Sequence, residues 1–103
     1  MKLNLSYQIY NESWGEQPIP QIANVSLLEM LNKTVSKTPD KTAVIFLDKS
    51  TSYLELDRLS SRLAAYLISV GLKKGDRVVT MLPNCTQHII AFWGILKTGG
   101  IAV

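Results

Sequence analysis

The sequence predicts an α/β protein built on part of a doubly wound sheet, in the order helix, strand, short strand, helix, strand, helix, strand. Three observations predict this class. Segments rich in branched and aromatic residues alternate with segments that carry apolar residues at helical spacing. One helix is apolar on nearly all sides, which is typical of a helix buried between layers. Strands that alternate with helices pair in parallel through right-handed crossovers, so we expect the three main strands in one sheet.

The first 25 residues are predicted to form an irregular leader. Gly15, Pro18 and Pro20 lie close together there, and a proline fixes its own backbone angle and restricts the residue before it. No continuous apolar stretch of the signal-peptide kind follows the first residues. Residues 26–103 are predicted to form one α/β subdomain that is incomplete.

Two of the predicted helices begin with a capping box, a pattern in which a serine caps the backbone amide of a glutamate three residues later. Ser26 with Glu29 begins the first helix, and Ser52 with Glu55 begins the second. Pro39 ends the first helix, because proline cannot continue the hydrogen-bond ladder.

The second helix carries a single apolar stripe, which predicts that it lies on a sheet. The stripe consists of Leu56, Leu59, Leu63, Leu67 and Val70. Gly71 follows as a left-handed stop.

Strands are predicted around these helices. The segment TAVIFLD, residues 42–48, reads as the first strand, and a tight reversal at Asp48 and Lys49 leads into the short strand. The segment RVVTML, residues 77–82, is the second main strand, and the third begins at Ile101.

The third helix is predicted over residues 85–98, with Asn84 as its cap and Gly99 as its end. Seven of the eight residues 89–96 are apolar, and a short chain has little with which to cover them. A membrane-adhering face is the weaker interpretation of this stretch, because the polar face of an interfacial helix is missing.

Composition excludes several classes of function. The net charge is +3, but the basic residues are scattered and form no stripe with interleaved aromatics, so no nucleic-acid partner is expected. The single cysteine allows no internal disulfide, and one cysteine with one histidine is too small a set for a metal site. No apolar run approaches the roughly 20 residues of a transmembrane segment, so a cytoplasmic location is expected, with peripheral contact to a membrane left open.

Two short patterns imitate catalytic or phosphate-binding sites. Gly99 and Gly100 invite a phosphate-loop interpretation, but they follow a helix and so meet the negative end of its dipole. Glu55 and Asp57 are two acids at a helix start, where the helix dipole already explains them, and positions two apart do not face each other.

Cys85 and His88 form the third such pattern, a nucleophile and base three residues apart. No carboxylate that could orient the histidine lies nearby in sequence, although Asp76 could in principle be brought close. We interpret the pair as a chance arrangement. The residues alone therefore indicate no catalytic, cofactor-binding or metal-binding residue in the chain.

Three segments in order resemble the N-terminal part of the AMP-forming acyl-CoA synthetases, members of the adenylate-forming superfamily. They are SLLEMLNKTVSKTPDKTAVIF, TSYLELDRLSSRLAAYLISVGLKKGDRVVTMLPN and AFWGILKTGGIAV, and together they run from Ser26 to Val103. The leader segment SWGEQPIPQI further resembles the long- and medium-chain fatty acyl branch, in which a tryptophan and two spaced prolines precede the first helix.

This resemblance implies a two-step ligase. ATP and a fatty acid carboxylate would give an acyl-adenylate and pyrophosphate, and the thiol of CoA would then displace AMP. Mg²⁺ and cationic donors would hold the phosphates, but the family's donor motifs lie downstream of the matched region. The resemblance therefore implies ATP, Mg²⁺ and CoA for the parent enzyme and no site residue within residues 1–103.

The chain ends inside a predicted strand, so we expect a fragment that is inactive alone and whose main partner is the rest of the parent chain. We also expect association through the helix at 85–98 and the strand edge at 101–103, with a homo-oligomer as one form. Two alternatives stay open: an adenylation domain for amino or aryl acids, and a non-enzymatic, self-associating α/β module that is complete at this length. A small nucleotide-binding domain is disfavoured, because no glycine loop opens a helix.

Overall fold

The computed structural model describes residues 24–103, and the predicted order of elements is confirmed over that range. The elements are helix α1 (Leu27–Lys37), strands β1 (Thr42–Phe46) and β2 (Lys49–Ser52), helix α2 (Tyr53–Ser69), strand β3 (Arg77–Val78), helix α3 (Thr86–Lys97) and strand β4 (Ile101–Ala102). The predicted leader lies outside the described residues except for its last two positions.

Both predicted capping boxes supply a helix start. The Ser26 hydroxyl accepts a hydrogen bond from the Glu29 backbone N–H at 3.2 Å, and α1 begins at the next residue after Ser26. The Ser52 hydroxyl does the same for the Glu55 amide at 3.1 Å at the start of α2. These local bonds satisfy amides that have no partner inside a helix, which is why the sequence pattern locates both starts.

The predicted cap of α3 is wrong by one residue. Cys85, not Asn84, occupies the N-cap position, with an extended backbone and no side-chain capping bond. Asn84 lies outside the cap because the first helical backbone angles occur at Thr86, and a side chain one residue earlier is not in the cap position. At the other end Gly99 adopts φ +81°, which confirms it as the glycine that ends the helix.

The hairpin turn also lies one residue earlier than predicted. Phe46 pairs with Lys49 in the antiparallel β1–β2 ladder, so Leu47 and Asp48 form a two-residue loop. Both have positive φ, 48° and 64°, as a tight hairpin turn with the twist of the strands requires. Leucine rarely adopts positive φ. The sequence therefore favoured a turn at Asp48 and Lys49 over one that includes Leu47.

Strand pairing departs from the expected single sheet. Over residues 24–103, β3 and β4 pair in parallel as predicted, but β1 pairs only with β2 and remains a separate antiparallel ribbon. The predicted second main strand over 77–82 is reduced to Arg77–Val78. Outside its hairpin, β1 contacts the helices α2 and α3.

The two long helices form the centre of the fold. Helix α2 packs chiefly against α3, which corrects the prediction that its stripe lies on a sheet. Leu56 is buried, Val70 is exposed, and the fully covered line continues through the small residues Ser60 and Ala64. Small side chains let two helices approach closely, and Leu63 of the leucine stripe meets α3 at Gly94.

Gly94 marks the closest approach of α2 and α3. A Cβ built there would lie 2.9 Å from Leu63 Cδ2, closer than nonbonded carbon atoms tolerate. Next to it, Ile95 is 1% exposed and is the largest fully buried side chain of the described residues. The apolar composition of α3 is thus explained by its packing against α2.

The remaining surface is rich in apolar side chains. Only Gln87 of α3 is well exposed, but most of that helix is half-buried rather than fully covered. Large apolar side chains elsewhere are open to solvent, including Leu47 at 83% and Met81 at 91%. None of the helices over residues 24–103 has the length and apolar character needed to cross a bilayer.

Candidate functional site

A pocket of about 290 Å³ opens between the hairpin and the start of α3. Its lining contains no Asp, Glu, Lys or Arg; the lining residues are Val44, Ile45, Phe46, Asn84, Cys85, His88 and Ile89. Strand β1 provides one wall because its residues face the first turn of α3. The pocket is therefore suited to a neutral, mainly apolar group.

The structure brings the predicted pair Cys85 and His88 to this same pocket. Cys85 is half-buried at the N-cap of α3, and the backbone carbonyl of Cys85 accepts the amide of His88 at 3.1 Å. No carboxylate lines the pocket; Asp76 instead accepts the Lys73 backbone N–H at 2.8 Å. Without a third group to orient the imidazole, the pair lacks the arrangement that activates a thiol.

One atom of the pocket lacks a partner. Nδ1 of His88 is buried and has no hydrogen-bond partner among residues 24–103. Buried polar atoms are nearly always hydrogen-bonded, because leaving one unsatisfied costs roughly 1–3 kcal/mol. The sequence indicated His88 only as a member of a chance pair, and no sequence signal reports an unsatisfied ring nitrogen.

The predicted acidic pair Glu55 and Asp57 separates into two structural roles. Glu55 is exposed and lines a second, smaller groove of about 170 Å³. Asp57 forms a salt bridge with Lys97 in the last turn of α3, with Nζ 2.6 Å from Oδ1. The two carboxylates therefore share no cleft in which they could act as an acid and a base.

Lys97 completes a cluster that no sequence signal predicted. Its ammonium donates to Asp57 Oδ1, to the Asp57 backbone carbonyl at 3.0 Å and to Ser61 Oγ at 2.8 Å. Those three bonds use all the protons of the ammonium group. The cluster joins α2 to the end of α3.

The glycine pair after α3 is a turn, not a phosphate cradle. The Gly100 amide donates to Thr98 Oγ1 at 3.0 Å, and the Gly99 carbonyl accepts the Gly75 amide at 2.9 Å. Both glycines follow the carboxyl end of α3, where the helix dipole repels an anion. Residues 24–103 also contain no cluster of three or more His, Cys, Asp or Glu side chains that could hold a metal ion.

Sequence comparison decides the family. The sequence profile of the family described as AMP-binding enzyme matches residues 31–103. The chain belongs to this family. The resemblance seen in the sequence is thereby confirmed.

Curated relatives with different names match most of this chain. The chain is 42% identical over 93 residues to a long-chain-fatty-acid–CoA ligase of Bacillus subtilis, a match covering 90% of the chain and 16% of the relative. It is 35% identical over 99 residues to malpibaldin synthetase of Mortierella alpina, covering 96% of the chain and 2% of the relative. The chain thus spans about a sixth of the length of the ligase it matches.

Solved structures confirm the α/β fold class. The N-terminal subdomain of Klebsiella oxytoca NpsA, in complex with 3-hydroxyanthranilyl-AMSN, matches 75% of the chain and 20% of that structure at a TM-score of 0.72 and 28% identity. Apo MbtA of Mycobacterium smegmatis matches 72% of the chain and 14% of that structure, at a TM-score of 0.68 and 38% identity. The expectation that residues 1–103 hold no catalytic, cofactor-binding or metal-binding residue stays a prediction.

Proposed function

We propose that this chain is scaffold from the N-terminal part of an AMP-forming fatty acid–CoA ligase. The observation that carries the proposal is the 42% identity to the Bacillus subtilis long-chain-fatty-acid–CoA ligase over 90% of the chain. The complete enzyme would join a fatty acid carboxylate to AMP with release of pyrophosphate. The thiol of CoA would then attack the acyl carbonyl and release AMP.

The described residues fit a structural role in that enzyme. The helix pair α2–α3 is closely packed at Gly94 and is joined at one end by the Lys97 cluster. Over residues 24–103 the observed groups do not fit ATP or Mg²⁺, because the glycine turn lies at the wrong end of its helix and no cluster of ligands is present. The ATP, Mg²⁺ and CoA sites of the proposed ligase would therefore be formed by other parts of its polypeptide, which is the main proposed partner of this chain.

A cytoplasmic location follows from the proposed reaction, which consumes ATP and CoA. The exposed apolar surface supports association with other polypeptide, either the remainder of the ligase or a second copy of the chain. We favour the remainder of the ligase, because the chain is short relative to the ligase that it matches.

The first test is to sequence the gene beyond the codon for Val103 and to express the protein that it encodes. With ATP, Mg²⁺ and CoA, we expect fatty acids to cause release of AMP and formation of acyl-CoA, measured by chromatography. The purified 103-residue chain serves as the matched control and should release no AMP. A reading frame that stops after Val103, or a longer protein that forms no acyl-CoA from any fatty acid, would contradict the proposal.

An adenylation domain for an amino or aryl acid is the second candidate. It is supported by the match to malpibaldin synthetase over 96% of the chain and by the similarity to the N-terminal subdomain of NpsA in complex with 3-hydroxyanthranilyl-AMSN. The same protein separates the two candidates in an ATP–pyrophosphate exchange assay with panels of fatty, aryl and amino acids. Exchange with amino or aryl acids alone would favour the second candidate over the first.

A further inference from the structure

Helix α1 is covered along one side only. Leu31 is 5% exposed, whereas its neighbour Met30 is 54% exposed, although α1 contacts both α2 and α3. A groove of about 410 Å³ lies along the open side and is lined by Val25, Glu29, Met30, Lys33 and Thr34. Exposed apolar side chains that line a groove indicate a surface that another apolar group covers.

The leader joins the described residues at one end of this groove. Val25, which lines the groove, follows almost directly after residues 1–23, and the backbone bends at Asn24. A bend at that point allows the preceding residues to run back along α1 instead of extending the line of its axis. The segment of the chain that is best placed to cover Val25 is therefore the end of the leader.

The sequence at the end of the leader fits the groove in shape. Each proline of PIPQI, residues 18–22, fixes its own φ, and Pro20 also restricts Ile19 to extended angles. In a polyproline II conformation side chains repeat every three residues, so Ile19 and Ile22 would lie on one side, about 9 Å apart. The groove extends over nine positions, from Val25 to Thr34, or about 13 Å at the helical rise. It is long enough for both isoleucines.

Charge favours the same occupant. From residue 3 to residue 24 the chain has two acids, Glu12 and Glu16, and no Lys, Arg or His. Helix α1 exposes Lys33, which lines the groove, and Lys37 in its last turn. A segment that runs back along α1 from the bend brings Glu16 toward this lysine end. Opposite charges there fix the direction of docking more than they add affinity.

We propose that residues 16–22 of the leader dock in this groove, antiparallel to α1. Ile22 would contact Val25, and Ile19 would contact Met30. Because the leader is covalently attached at one end of the groove, its effective concentration is on the order of millimolar, so a second copy of the chain would compete poorly. This docking does not depend on which substrate the complete enzyme uses.

Proteolysis after glutamate tests the docking in the full 103-residue chain. A protease needs an extended, accessible segment, so the docked leader should be cleaved slowly after Glu16. Met30→Gln removes an apolar contact and should accelerate this cleavage about fivefold. Ile68→Gln is the matched control, because Ile68 is also 54% exposed but lies on α2 and does not line the groove. It should leave the rate unchanged.

Cleavage after Glu55, inside α2, reports unfolding of the domain and provides the reference rate. The quantity compared is the rate of cleavage after Glu16 relative to the rate after Glu55. Equal ratios for Met30→Gln and Ile68→Gln in folded chains would overturn the proposal. Protection of Glu16 that grows with protein concentration would assign the groove to a second copy and would also overturn it.

A disulfide experiment decides the case without changing the apolar lining of the groove. In a Cys85→Ser background, Ile19→Cys is combined with Thr34→Cys, which lines the groove, or with Ser36→Cys, which does not. Thr34 and Ser36 lie on different sides of α1 but close nearly equal loops with position 19, so the loop-closure entropies nearly match.

The readout is the effective concentration of each thiol pair, measured by equilibration with reduced and oxidised glutathione. We expect the pair at positions 19 and 34 to exceed the pair at positions 19 and 36 by at least about tenfold, because docking holds position 19 at the groove. Equal effective concentrations would show that the leader does not dock on α1. Disulfides that form mainly between separate chains would show that the leader binds a second copy instead.

Discussion

Replacement of Lys97 by methionine tests whether the polar cluster at the end of α3 holds the two long helices together. Methionine keeps the unbranched shape of lysine and a similar helix propensity, so the substitution removes the ammonium group with little other change. The Lys97 side chain is only 13% exposed, and Asp57 is 32% exposed. The pair is therefore intermediate between a surface salt bridge and a buried one.

The expected magnitude follows from the three hydrogen bonds of the ammonium. The charged bond to Asp57 Oδ1 contributes roughly 1.5–3 kcal/mol, and each of the two bonds to neutral oxygens contributes about 1 kcal/mol. When these bonds are lost, the side chain at position 97 regains conformational entropy, which offsets roughly 1.5–2 kcal/mol of this sum. Solvent reaches part of Asp57 and lowers the cost of leaving it unpaired. We expect Lys97→Met to lower the free energy of unfolding by about 2 kcal/mol, a large fraction of the stability of a small domain.

The assay is equilibrium urea unfolding followed by circular dichroism at a wavelength that reports helix. Lys33→Met serves as the matched control, because Lys33 is exposed on α1 and takes part in no salt bridge among the described residues. Its effect should stay within about 0.5 kcal/mol. A double-mutant cycle with Asp57→Asn should give a coupling free energy of at least about 1 kcal/mol. The reasoning is refuted if Lys97→Met changes stability no more than Lys33→Met does.

Three further substitutions test other parts of the fold, each by thermal unfolding. Gly94→Val should lower the free energy of unfolding by at least about 2 kcal/mol, because even a Cβ there meets Leu63 at 2.9 Å; an unchanged melting temperature would contradict the close helix contact. Leu47→Asn should raise it by about 0.5–1 kcal/mol, since asparagine tolerates the left-handed turn, and a lower melting temperature would show that the leucine packs within the isolated chain. Ser52→Ala should lower it by about 1 kcal/mol through loss of the cap on Glu55, whereas Ser52→Thr should restore most of the loss; equal melting temperatures for alanine and serine would contradict the capping role.

The predicted elements whose signals are local agree with the structure. A serine followed three residues later by glutamate begins α1 and α2 at the positions that the pattern indicates, because the bonds involved span only a few residues. Gly71 and Gly99 have the positive φ expected of residues that end helices. Family membership could also be predicted from the sequence, because it depends on the order of segments along the chain.

The predictions that failed depend on competition between neighbouring positions or on distant contacts. Asparagine is a common N-cap residue, so Asn84 was predicted to cap α3. The helix begins at Thr86, however, and Cys85 therefore occupies the N-cap position. The hairpin turned at Leu47, a residue whose own preference opposes the turn, because the register of β1 with β2 left two residues for the loop. At the hairpin, strand register thus outweighed intrinsic preference.

The sequence of this protein determined the order of its helices and strands, two of its helix starts and its family, since each is encoded in patterns along the chain. Tertiary structure alone decided that α2 packs on α3, that Asp57 meets Lys97 across 40 positions and that β1 stays outside the parallel pair. It also decided that Cys85 and His88 share a pocket in which a ring nitrogen is buried without a partner among residues 24–103. The physical reason is that burial depends on which distant surfaces meet, and a pattern within one segment cannot specify the opposing surface.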